Sequence, residues 1–248
     1  MGKRYWLGVI SSLVAGAALA AAAVVATGSS ASGKPVVVPL AQAPASASAR
    51  AQDQAARAQW RTKPVEQLFP ATVADGSQYV RLGIADAAGC DVLPKGFVTA
   101  LAQAAPETKC VKVLRATYTD VTQTVFATVG IVVIDGAARA RDQVWRQWTP
   151  DADSRRPELM PDVVAVPGTA AAQWTDGQRI GWNSQATRDG SYLVYVVSAF
   201  TDGRAGTGDA ELIAGTAKAL RADSPPVQAA LGLSQSFAAL LSDSVKQP

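Results

Sequence analysis

Between Arg4 and Lys34 the chain carries no ionisable side chain except Tyr5, and residues 6–27 within that interval are almost wholly apolar. Those 22 residues, at about 1.5 Å of helical rise each, span roughly 33 Å, enough for a hydrocarbon core of roughly 30 Å. The segment is therefore expected to be a transmembrane helix. Lys3 and Arg4 stand before it and the next base lies well beyond its far end. The positive-inside rule then puts residues 1–5 in the cytoplasm as a short stub and the remainder of the chain outside. A cleaved secretory signal is the competing expectation. Its apolar core would be shorter than this one, but small residues suited to cleavage follow at Ala26-Thr27-Gly28 and Ser29-Ser30-Ala31. The length favours an uncleaved signal anchor in the cell membrane, and cleavage would give a secreted domain.

The chain has two cysteines, Cys90 and Cys110, and an even pair in an exported domain predicts a disulfide. Neither lies near the end of the apolar segment, which excludes a lipoprotein anchor of the bacterial type. Zinc is not expected, because there is no histidine and two thiols cannot complete a four-ligand site. Residues 1–62 hold six basic side chains and one acid, a net of +5. The whole chain is +3, so about −2 remains for residues 63–248. A mildly acidic folded part without a basic stripe gives no support to nucleic-acid binding.

Residues 28–62 begin as an Ala/Ser/Gly/Pro-rich stretch without helical or strand period and read as an extracytoplasmic tether. Within it, Arg50 to Arg61 fits a short polar helix as well as it fits more tether. A domain is expected over residues 63–245. Val65–Phe69 reads as a lead-in. Tyr79–Ala85 alternates as a strand with Val80, Leu82 and Ile84 on one face. A helix starts at Pro94, carries Phe97 and Leu101, and stops at Pro106. Cys110–Thr119 and Gln123–Ile134 read as strands, and Ala137–Trp148 as a helix with Ala137, Ala140, Val144 and Trp148 inward.

Val163–Val166 reads as a short strand. Gln178–Thr187 and Ser191–Thr201 read as a hairpin turning at Asp189-Gly190, with Ser191–Thr201 central because it is apolar on both faces. Two helices close the chain, Asp209–Arg221 with Leu212, Ile213, Ala217 and Leu220 inward, and a run that carries Val227, Leu231, Phe237, Leu240 and Leu241. Paired strands with helices between them predict an α+β domain, an antiparallel or mixed sheet covered by helices. The first six elements also match the βαββαβ order of ferredoxin-like folds.

The absence of histidine removes imidazole-based triads and the common zinc hydrolase sites. No SxxK motif occurs, which argues against an acyl enzyme of the penicillin-binding type. Asp86, Asp91, Asp120, Asp135, Asp151, Asp153, Glu158 and Asp162 are candidate carboxylates, but aspartates at turns and strand ends are what capping requires. The glycine-rich Asp202–Gly208 stretch lacks the phosphate-loop lysine and spacing. No catalytic, cofactor or metal residue is assigned. Trp145, Trp174 and Trp182 are the candidate binding surface, with Trp148 expected in the core.

The unit Ala87-Ala-Gly-Cys90, Cys110-Val-Lys-Val, Ala116-Thr-Tyr-Thr-Asp120 and Val132-Val-Ile-Asp135 resembles membrane-anchored or secreted extracytoplasmic proteins of actinobacteria. The likeness covers residues 64–200. It implies location and architecture and brings no catalytic residues with it. The expectation is a non-catalytic module that binds an envelope protein or cell-wall glycan. The alternatives are a carboxylate hydrolase of cell-wall polymer, tested on Asp120 and Asp135, and a carrier of a small ligand or lipid.

Overall fold

The structure, a computed structural model, describes residues 46–74, 77–148, 157–204 and 224–243. The chain divides into residues 1–43 and 44–248, and every described residue belongs to the second unit. The expected anchor at 6–27, Asp151, Asp153 and the expected helix at Asp209–Arg221 lie outside the described residues. Among the described residues no helix is long and apolar enough to cross a membrane.

A six-stranded antiparallel sheet organises the domain, in the order β1-β2-β3-β4-β6-β5. The strands are β1 (Thr72–Ala74), β2 (Gln78–Ala88), β3 (Lys109–Asp120), β4 (Val125–Asp135), β5 (Gly181–Ala186) and β6 (Tyr192–Phe200). The helices are α1 (Ala47–Thr62), α2 (Val65–Leu68), α3 (Lys95–Ala104), α4 (Ala138–Gln147) and α5 (Pro225–Asp243). The domain is α+β, as the pairing of strands predicts. β6 has a strand on each side, in accord with its apolar faces.

The side-chain alternation of β4 divides the core between the two sheet faces. Val125, Ala127, Val129, Ile131 and Val133 face α5, whose Ala230, Leu233, Phe237 and Leu241 cover them. Val132 and Ile134 face the other way, toward Phe97 and Leu101 of α3 and Val144 of α4. Trp148 lies in this second layer, its ring 5.1 Å from that of Phe97, and its indole N–H donates to Ser184 Oγ at 2.8 Å. Cys90 and Cys110 form the expected disulfide, with Cα atoms 6.1 Å apart. It ties the turn after β2 to the start of β3 and so closes the loop that contains α3.

Several expectations are corrected. The ferredoxin-like order fails because β2 and β3, which flank α3, pair directly and antiparallel instead of flanking a third strand. Val80, Leu82 and Ile84 do not share a face. A register shift between Arg81 and Gly83 inverts the strand, so Tyr79 and Ile84 both reach the α5 side while Val80 is exposed. Val163–Val166 is not a strand. It crosses the sheet with its backbone held by side chains: Thr117 Oγ1 donates to the Val164 carbonyl at 2.6 Å, and Val164 N–H donates to Thr128 Oγ1 at 2.9 Å. Thr117 and Thr128 are cross-strand partners, so two hydroxyls replace a strand ladder.

The inward stripe of α5 is a single face. Ala229, Ala230, Leu233, Phe237 and Leu241 are buried, whereas Val227, Leu231 and Leu240 are only half-buried. Ala229 and Ala230 share the buried face with the larger Leu233, Phe237 and Leu241. Ala137 is exposed as the residue that precedes α4, and the rest of that stripe is buried as expected.

Candidate functional site

The folded unit takes in residues that composition assigns to the tether. Ser46 caps α1 by accepting from Ala49 N–H, and the helix then docks through polar groups. Gln59 Nε2 donates to the carbonyl of Leu241 at 2.9 Å, which satisfies an acceptor in the last turn of α5. The Tyr192 hydroxyl donates to the Ala56 carbonyl at 2.8 Å and accepts from Trp60 N–H at 3.4 Å. Asp53 pairs with Arg141, a guanidinium only 1% exposed that also donates to the Gly136 carbonyl. Burying that cation requires a counter-ion, and α1 supplies it.

This docking leaves a cleft of about 740 Å³ at the sheet end nearest the β5–β6 turn. One wall is a single face of α1, Ala49, Gln52, Asp53 and Ala56, at helical spacing. The opposite wall is a face of α5 with Gln235, Ala238, Ala239, Ser242 and Asp243. Gln185 and Ala186 of β5, with Arg188 and Asp189 of the turn, form the end, and Trp145 of α4 completes it. Trp145 is 39% exposed, a large indole half open to solvent in a concave setting. Asp189 accepts a long hydrogen bond from Ser191 N–H at 3.4 Å on Oδ1, while its buried Oδ2 has no hydrogen-bond partner. A smaller cavity of about 230 Å³, lined by Arg57, Trp60 and Asp135 among others, lies between α1 and the ends of β3 and β4.

Of the three tryptophans proposed as a binding surface, only Trp145 is placed to serve as one. Trp174, within the 163–178 segment, is 4% exposed, with its ring 5.7 Å from that of Phe126. Trp182 is 6% exposed and packs in the α3–α4 layer. The apolar area of both is spent on the core.

The candidate carboxylates are dispersed. Asp120 closes the β3–β4 turn. It accepts from Thr124 N–H and Val125 N–H at 2.7 Å each, from Thr124 Oγ1 at 2.9 Å, and from the Thr122 hydroxyl. Burial pushes its pKa up, but these bonds outweigh it and hold the carboxyl below its usual range. They also fix a turn in which Gln123 adopts φ +54°. Asp135 stands at the other end of β4, beside Arg57 at 3.9 Å. An 11-residue strand separates the two ends by about 33 Å, so Asp120 and Asp135 cannot share a reacting bond, which needs carboxyls within about 10 Å. Asp86, Asp91, Glu158 and Asp162 are exposed, the last paired with Arg179 at 3.3 Å. No cluster of three or more metal-ligating side chains occurs among the described residues.

Among the described residues, both sheet–helix interfaces hold clusters of buried apolar side chains. Gln52, Asp53, Asp189 and Gln235, which build the cleft, carry no motif. The legible signal was the repeat of small and polar residues at 49, 52, 53 and 56, masked by the tether-like composition around it. Comparison with protein-family models, curated protein sequences and solved structures returned no match to this chain.

Proposed function

We propose that the chain is a membrane-tethered extracytoplasmic binding module of the cell envelope, with the cleft around Trp145 as its partner-binding surface. In this reading residues 1–5 stay in the cytoplasm, residues 6–27 span the membrane, and the disulfide-bearing domain works outside. The uncharged segment supports the location, and so does the bridge between Cys90 and Cys110, since such bonds persist in oxidising compartments. The resemblance to anchored or secreted actinobacterial proteins points the same way.

The observation that carries the binding role is the cleft itself. A partly exposed indole in a concave setting, beside three glutamines that can give and accept hydrogen bonds, offers a ligand both an apolar face and polar partners. Its walls are a helix pair fixed by hydrogen bonds and an ion pair, so the geometry exists before any partner arrives.

In-cell photo-crosslinking tests this role. A photoreactive residue at Gln235, in the cleft, is compared with one at Val121, which is 56% exposed at the opposite end of the sheet. Adducts from position 235 that disappear with Trp145→Ala are expected. No adduct from position 235, or equal adducts from both positions, would overturn the role.

A further inference from the structure

We infer that the cleft takes an uncharged saccharide, a short run of neutral sugar rings; this rests on the reading of the cleft as the binding surface. A sugar ring presents a face of C–H bonds and a rim of hydroxyls, and the cleft offers a counterpart to each. Trp145, 39% exposed, supplies a π face whose negative quadrupole meets the slightly positive C–H hydrogens. Gln52, Gln185 and Gln235 each carry a carbonyl acceptor and an amide donor, matching hydroxyls that both give and accept. Asp189, at the end of the cleft, adds a carboxylate that can accept from a hydroxyl donor. The volume of about 740 Å³ lies within the roughly 300–1,000 Å³ of small-molecule sites.

Competing ligand classes fit less well. Arg188 is the one cation lining the cleft, so a polyphosphate or sulfated polymer finds a single guanidinium for its many charges. A lipid chain would strip water from the three glutamines and return no hydrogen bond. A docked amphipathic helix needs a continuous apolar strip, and those glutamines interrupt the alanines that would provide it.

The test is ¹⁹F NMR on the full-length chain in detergent micelles, labelled with 5-fluorotryptophan and titrated with a tetramer of β-1,4-linked N-acetylglucosamine. The Trp145 resonance is assigned by its loss in Trp145→Phe. A saturable shift of that resonance is expected, with those of buried Trp174 and Trp182 steady as internal reporters of the fold. Asp189→Asn should weaken binding by about tenfold, and dextran sulfate should not compete. No shift up to about 10 mM tetramer overturns the inference. So does a shift unchanged by Asp189→Asn, or displacement by dextran sulfate or by a lysine-rich peptide. If the titration fails while position 235 still crosslinks an envelope protein in a Trp145-dependent way, the saccharide is wrong and the binding role stands. If both fail, both fall.

Discussion

At the scale of single residues, the contacts that decide the fold involve side chains whose partners are distant in sequence. Gly130 lies opposite Tyr195 across β4 and β6, and a Cβ added at Gly130 would fall 2.1 Å from the Tyr195 ring. The buried ring cannot yield, so Gly130→Ala should destabilise the domain by about 3 kcal/mol, read by urea denaturation. Asp120 gives a pH-dependent counterpart. Its folded pKa lies below the unfolded value, so its stabilisation is full above roughly pH 4 and is lost as pH falls through the folded pKa. Asp120→Ala should therefore lose about 1–2 kcal/mol at pH 7, with the gap to the parent closing in acid. A gap that stays constant with pH would deny the carboxylate this role. Among the aromatics, Trp148 was legible as core because helical period places it with Ala140 and Val144. Trp174 and Trp182 were not, because what buries them comes from elements distant in sequence.

At the scale of elements, periodicity located most helices and strands but not always the face each one buries. The β2 register shift follows from packing across the sheet, to which local alternation is blind. Composition hid α1. Its residues are close in composition to the preceding stretch, and only two of them, Ala56 and Gln59, are buried. Its attachment depends on a few polar contacts, so Asp53→Asn, which leaves Arg141 without its carboxylate, should cost about 3 kcal/mol. Increased hydrogen exchange should then appear first along 47–62. The disulfide acts on another element: it pins both ends of the α3 excursion. Replacing Cys90 and Cys110 with serine should lower stability by about 3 kcal/mol, the entropy of closing a loop 20 residues long.

For the molecule as a whole, the sheet separates two packed layers and ties its distant ends together through buried phenols. Tyr118 donates to the Pro70 carbonyl at 2.9 Å and Tyr192 to the Ala56 carbonyl at 2.8 Å, while Tyr195 is enclosed between layers. Burial raises the pKa of all three above the usual tyrosine value of about 10. Their neutral forms belong to the native state, so stability should hold up to about pH 10. Above it, stability should fall by about 1.4 kcal/mol per pH unit for each tyrosine that ionises only on unfolding. Alkaline titration of unfolding against Tyr118→Phe, which should flatten the slope by one proton, measures this.

The class of the fold and the bridge were readable because strand pairing and cysteine parity are local or compositional signals. The cleft was not, since it arises where α1, α4, α5 and the β5–β6 turn converge from four separate stretches. What the domain can bind also depends on the side of the membrane on which it resides. Protease treatment of intact spheroplasts, with the cysteine thiols alkylated before and after reduction, tests this most directly. The predicted result is digestion of the domain from outside, with Cys90 and Cys110 reactive only after reduction. Full-length protein that is protected until lysis, with both thiols already free, would contradict it.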